Sequence, residues 1–368
     1  MARTPIVDLT RRGRAPNLVV DVGTGYELLV GLCAWGSPDC RDLLDIGTDW
    51  FEQRRTQAST QLGTALDAVR GAGDMFGFLT GLIQAAPGRD TAAVMTFLEA
   101  TDPGELWLTL VGHYARSHHN AAPAELFLAG TTEPSARRRL AGALAADPET
   151  ASLSPVAATD PVEAKDRLLD LLHRWHDEVM RDHLEGVAAV LGRDADAKRR
   201  MAASLSAERL VEAATNGIAY TPPPEVTGIL LVPQVVMRPW VLINERDGLR
   251  IFLYPVADES MSSEPEDPPA RLVALCKALA DPQRLRLLRL LASGPVALQP
   301  IADHLGVAKS TAHHHLAALR AAGLVRISLG ADKEYELRGD LVPDAAALLG
   351  GYLGAGAPPA ATGSEGQR

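Results

Sequence analysis

Three features of the sequence predict a mostly α-helical protein with a small β component. Helical periodicity dominates from Tyr26 to Ala214, short β-rich runs replace it from Gly228 to Val256, and an acidic break sets a C-terminal module apart. The first strand is expected in Asn17 to Val22 (NLVVDV), where it would join a small sheet. A helical stripe follows in Tyr26, Leu28, Leu29, Leu32 and Cys33, and another in Met95, Phe97 and Leu98. Leu106, Leu108 and Leu110 alternate, so the helix read over Glu105 to Arg116 rests on a weaker signal. The longest predicted helix runs from Glu163 to Leu191. Leu168, Leu169, Leu171, Leu172, Trp175, Val179 and Leu184 are its apolar positions, and Pro161 stands near its start, where a missing N–H is tolerated. Trp240 to Asn244 and Leu249 to Tyr254 flank Arg246-Asp247-Gly248, a strong hairpin signal. The expected organisation is an α+β domain over 1–257, an acidic linker over 258–268 (DESMSSEPEDP), a C-terminal domain over 269–354 and a disordered tail over 355–368.

The 368 residues suit two domains with real cores. No apolar run is long enough for a membrane span. Arg3, Arg11, Arg12 and Arg14 have no apolar h-region after them, so a signal peptide is not expected. Three cysteines (Cys33, Cys40, Cys276) are too few for a disulfide framework and point to the cytoplasm, with Cys33 and Cys40 read as buried thiols. Net charge is −10, but residues 269–338 carry +5, which leaves −15 for the rest. A basic module on an acidic body is the electrostatic layout of a nucleic-acid reader attached to something else.

The basic module has its own punctuation. Leu272, Leu275, Cys276 and Leu279 share one face of a short amphipathic helix. Asp281 and Pro282 then cap and open a second helix, with Leu285, Leu288 and Leu291 or Leu287 turned inward, and Ser293-Gly294-Pro295 ends it. Leu298 to Leu305, a turn at Gly306-Val307, and a helix from Ala308 to Ala322 give helix, glycine turn, helix. Ala312, His315, Leu316 and Leu319 are expected inside. Lys309, Ser310, His313, His314, Ala317 and Arg320 are expected on the opposite face, where a recognition helix meets double-stranded DNA. Lys309 and Arg320 suit phosphates or guanine, while Ser310 and Thr311 suit either phosphate or base; Gln299, on the preceding helix, joins the DNA-contacting set. Leu324 to Leu329 and Glu334 to Leu337 read as a β-wing that carries Arg326 and Lys333 to the backbone or minor groove, and Asp340 as the cap of a last helix, Val342 to Leu353.

LADPQRLRLLRLL (279–291) and AKSTAHHHLAALRAAGLV (308–325) resemble the second helix and the recognition helix of the ArsR family of winged-helix repressors. The resemblance implies a DNA-binding homodimer, packed through its flanking helices and acting as a repressor on a palindromic operator. It also implies that His313 and His314 face DNA and His315 packs inward. Two departures stand out. Ala308 occupies a position where the family often has a capping Ser, at a cost of about 0.5–2 kcal/mol. The Cys pair and the Asp/His ligands of the metal-sensing members are missing, so no metal and no cofactor are expected. The long N-terminal region is similar to the N-terminal domains fused to such modules in actinobacterial regulators.

Other motifs have plainer readings. His313-His314-His315 cannot point one way on a helix, which opposes a metal site. His173, His176 and His183 can share a face, yet they do not form His-Glu-x-x-His and are read as solvated or core histidines. His113, His118 and His119 are read as favourable near a helix C-terminus. Gly23-Thr24-Gly25 lacks the third glycine and the Lys-Ser/Thr of phosphate loops and reads as a turn, and the arginines at 11–14 as an exposed terminus. The expected function is sequence-specific transcription regulation, with the N-terminal domain open to a small-molecule effector, and not enzymatic activity. A protein-interaction adaptor and an enzyme with an accessory winged helix are the alternatives.

Overall fold

The computed structural model describes residues 16–37, 41, 44–68, 73–115, 122–147, 150–261, 270–329, 333–338, 349–350 and 352–353. The arginines at 11–14, Cys40, His118, His119, most of the last predicted helix, the wing turn at 330–332 and the tail over 355–368 lie outside them. The chain divides into two compact units. The first comprises residues up to Thr215 together with Tyr220–Ser260; the second comprises Asn216–Ala219 together with the residues from Met261 onward.

The first unit begins with strand β1 (Asn17–Val20), followed by helices α1 (Thr24–Gly36), α2 (Thr48–Gln57), α3 (Thr60–Ala68) and α4 (Gly73–Leu82). Next come α5 (Thr91–Ala100), α6 (Pro103–Leu110), α7 (Ala124–Gly130), α8 (Pro134–Ala146) and α9 (Ser154–Ala158). Helix α10 (Pro161–Trp175), a π-helical turn (His176–Met180) and α11 (Arg181–Ala202) then form one continuous rod, followed by α12 (Ala207–Ala214). After β2 (Ile218–Tyr220), strands β3 (Gly228–Gln234), β4 (Leu242–Arg246) and β5 (Leu249–Pro255) complete a sheet of order β1-β3-β5-β4. β1 and β5 both run parallel to β3, while β4 and β5 form an antiparallel hairpin. The hairpin turn is the predicted Asp247-Gly248, with φ of +48° and +79°, values a two-residue turn of this kind requires. β3 reads GILLVPQ without alternation because it is central and buried.

Helix α1 is buried along nearly its whole length and packs against α4, α5, α11 and β3. Its single acid, Glu27, is fully buried and satisfied: it accepts from Val235 N at 3.0 Å, Val236 N at 2.8 Å and His183 Nε2 at 2.9 Å. Such a charge persists in a core only when it is paired and hydrogen-bonded. Trp175 crosses the same core, donating from Nε1 to Leu28 O at 3.1 Å and meeting Trp35 edge-on at 5.5 Å.

In this unit one weakly marked helix is borne out and one expectation needs correction. The alternating stretch at 106–110 is helical, because Leu106, Trp107, Leu108, Thr109 and Leu110 are all buried and an all-round apolar helix carries no clean period. The acidic segment at 258–268 does not begin as a linker. Asp258–Met261 is a short helix, α13, anchored where Arg238 binds Asp258, Arg193 donates to Ser260 O at 2.8 Å, and Ser260 Oγ donates to the buried Asp194 at 3.1 Å.

The second unit contains α14 (Ala270–Leu279), α15 (Pro282–Leu291), β6 (Val296–Ala297), α16 (Leu298–Leu305), α17 (Lys309–Ala321), β7 (Val325–Leu329) and β8 (Lys333–Leu337). Its core gathers Leu275, Leu287, Leu291, Ile301, Leu316 and Tyr335, among others. The sheet has the order β2-β7-β8-β6, so a strand from far upstream forms its edge. Asn216, with φ +52°, leads into that strand.

Candidate nucleic-acid interface

Helix α15 starts as its sequence requires. Asp281 accepts from Gln283 N at 2.8 Å, and Pro282 takes the first helical position, where no N–H is needed. Burial by itself would raise the Asp281 carboxyl, but the backbone donors of Gln283 and Arg284 and the nearby His315 hold it below the usual range. Helix α16 ends at Gly306, φ +66°, a left-handed cap that lets Val307 N reach back to Ala302 O at 3.1 Å. Ala308 then opens α17 without a side-chain cap, so no side chain of Ala308 occupies the N–H groups of the helix's first turn. Gly323, φ +74°, closes the helix and turns the chain into β7.

Lys309, Ser310 and Thr311 lie exposed on the first turn of α17. His313 and His314 are half-buried on the next. Burial, reinforced by Lys333, His314 and Arg320, pushes His313 down to about 4, so its ring is neutral near pH 7. Burial also lowers His315, against the opposing pull of Asp281, whose Oδ2 lies 3.5 Å from its Nδ1. Gln299 is exposed on α16 and donates to Asp303 Oδ1 at 2.7 Å. In the wing, Lys333 is exposed at the start of β8, with its ammonium 5.6 Å from the centre of the Tyr335 ring. Desolvation by neighbouring groups, then repulsion by Arg320, depresses Lys333. Arg326 pairs across the strands with Glu336, its register partner, so its charge is matched within the sheet.

Arg320 departs from expectation. It is 5% exposed rather than on the outer face of α17, and Ala317 is buried with it. The cause is helical spacing: position 320 is one turn beyond Leu316 and two beyond Ala312, so it continues the inward stripe. Its guanidinium is buried within electrostatic reach of Tyr335; burial lowers it to about 10 while burial pushes the Tyr335 hydroxyl up to about 12.

One residue missed by sequence reasoning completes the arrangement. Asn216 Nδ2 donates to Arg320 O at 3.0 Å and Ala321 O at 2.9 Å, capping the far end of α17. Ile327 N donates to Gly217 O at 2.8 Å, which fastens the edge strand to β7. Asn-Gly at 216–217 is a turn signal in the sequence, but nothing local says where the chain goes next.

The other candidates are dispersed by the structure. His173 is exposed and bonds Glu99, His176 bonds Asp177 and His183 turns inward to Glu27, because the π-helical turn rotates the rod between them. His113 stacks near Tyr114 and Phe127. Among the described residues no group of three or more His, Cys, Asp or Glu is placed to hold a metal ion. Gly23-Thr24-Gly25 is not the plain turn expected, since α1 starts at Thr24, and the space around it is filled from within the protein. Gly25 N donates to Arg89 O at 2.9 Å, a Cβ on Gly23 would lie 2.2 Å from that oxygen, and Asp21 accepts from Tyr26 at 2.7 Å and Arg89 at 2.7 Å. Cys33 is buried and Cys276 exposed. No described helix is long and apolar enough to cross a membrane.

Residues 281–326 match the family model described as bacterial regulatory protein, arsR family. The match spans α15 through α17 and the first residues of β7, so the second unit carries an arsR-family regulator domain. No curated protein and no solved structure gives a significant match.

Proposed function

We propose that this protein is a DNA-binding transcription regulator that acts as a repressor, binding a palindromic operator as a homodimer, with an effector acting on the first unit. The observation that carries the reading is the first turn of α17. Lys309, Ser310 and Thr311 stand exposed there beside uncapped helix N–H groups, within a domain matching the arsR family. Helix N-termini of this kind receive phosphate oxygens, and hydroxyls and an ammonium at the start of a recognition helix reach both phosphates and base edges. Lys333 extends the basic surface along the wing. The exposed Leu279, Leu285, Leu349 and Leu353 on flanking helical segments support a dimer packed through these helices.

The test is fluorescence anisotropy with duplex DNA from the region upstream of the protein's own gene, against a scrambled duplex, at two salt concentrations. Preferential, salt-sensitive binding is expected. Lys309→Ala and Lys333→Ala should each weaken it and reduce the slope of log K against log salt by about 1. Equal, weak binding to both duplexes that neither substitution alters would overturn the reading. Sedimentation and a two-fold-symmetric footprint test the dimer and the palindrome.

A further inference from the structure

Between α3, α6, α9 and α10 the first unit opens a cleft of ≈ 720 Å³, within the range of small-molecule sites. Its floor is Met75, Leu110, Ala164, Leu168 and Leu171, all buried and all apolar. The α3 wall is lined by the short side chains of Ala65 and Ala68. Pro155 and Val156 of α9 form the end.

The charges at the rim neutralise themselves. Arg167 binds Glu163 at 2.5 Å, and Asp170 binds Arg174 at 2.9 Å, each pair one turn apart on α10. The Ser152 hydroxyl and, exposed at the mouth, the Thr60 hydroxyl and the Gln61 amide have no hydrogen-bond partner among the described residues, whereas the hydroxyls of Thr64 and Thr159 bond carbonyls of their own helices. An apolar floor, a rim without surplus charge and a few neutral polar groups at the wall and mouth together define a ligand chemistry.

We infer that this cleft is a binding site for an uncharged, largely hydrocarbon small molecule carrying one or two hydrogen-bonding groups. Within the proposed regulator function, on which only this last step rests, its occupant is the effector.

The experiment uses the full chain without DNA, so its outcome is independent of whether the protein binds DNA. The neutral dye Nile red is titrated against the anionic dye anilinonaphthalene sulfonate. Expected is saturable, one-site binding of Nile red, at least about tenfold tighter than the anion. Ala65→Trp and, from the opposite wall, Ser152→Trp should each weaken Nile red by about tenfold or more while circular dichroism and melting stay native. Leu128→Ser, at an exposed leucine that does not line the cleft, should leave binding unchanged. The inference fails if the anion binds as well as Nile red, or if a folded Ala65→Trp or Ser152→Trp protein binds Nile red like the unaltered chain.

Discussion

Replacing Asn216 tests whether residues upstream of the second unit belong to it. Asn216→Ala removes the long contact that its Oδ1 accepts from Arg338 Nη1 at 3.4 Å and two shorter hydrogen bonds, to Arg320 O at 3.0 Å and Ala321 O at 2.9 Å. Each of the two shorter bonds contributes about 0.5–1.5 kcal/mol net, together about 1–3 kcal/mol. The residue also sits at φ +52°, a left-handed conformation that asparagine accepts and alanine adopts at a cost of about 1–2 kcal/mol. The summed loss is about 2–5 kcal/mol, expressed in the second unit and its edge strand. Denaturant unfolding of the full chain should show it, and hydrogen exchange should place it: the Ile327 amide, bonded to Gly217 O at 2.8 Å, should lose protection while amides of β3 keep theirs. Asn216→Gly removes the bonds without the left-handed strain, so comparing the two variants separates these contributions. An Asn216→Ala protein with unaltered unfolding and unaltered Ile327 protection would refute the assignment of β2 to the wing sheet.

Other consequences are equally direct. Glu27→Ala should destabilise the first unit by about 3–5 kcal/mol in chemical denaturation, since it strands His183 and two backbone donors in the core; a loss under 1 kcal/mol would contradict the pairing. Arg320→Met should leave the salt slope of DNA binding unchanged while Lys309→Ala lowers it by about 1, because Arg320 is buried and Lys309 is not; equal slopes for both variants would place Arg320 on the DNA. His313 is held near pKa 4 in the folded chain, below its ordinary 6.5. Its neutral form is the one the fold accommodates, so its contribution is complete above pH 6.5 and is lost as pH falls toward 4. His313→Gln should therefore flatten the fall in stability across that window, and an identical pH profile for both proteins would show that the ring is not desolvated.

What the sequence makes legible follows the range of the interactions involved. Asp281-Pro282, Gly306 and Gly323 act within a few residues, and so the helix-turn-helix and wing can be read locally. Asp247-Gly248 marks its hairpin for the same reason. By its charge Arg320 reads as an outer-face cation, although its spacing from Ala312 and Leu316 puts it on the inward stripe. The rod is legible as a helix over 163–191 of its 161–202 span, but its π-helical turn, and with it the inward rotation of His183, has no periodic signature. Glu27 has no local signature because its partners lie 156, 208 and 209 residues away. The cleft is invisible for a related reason, since alanines that line a cleft look in sequence like alanines that fill a core.

The edge strand also bears on the order in which the protein is made. Residues 216–219 leave the ribosome well before the recognition helix to which Asn216 bonds, a contact spanning 104 residues. Synthesis lets upstream structure form first, and contacts of long sequence separation close late because the intervening chain must be ordered before they form. The short helices of the second unit can therefore assemble as soon as they emerge. The wing sheet reaches its full width only when a strand that has been waiting since the first unit was translated is taken up along β7.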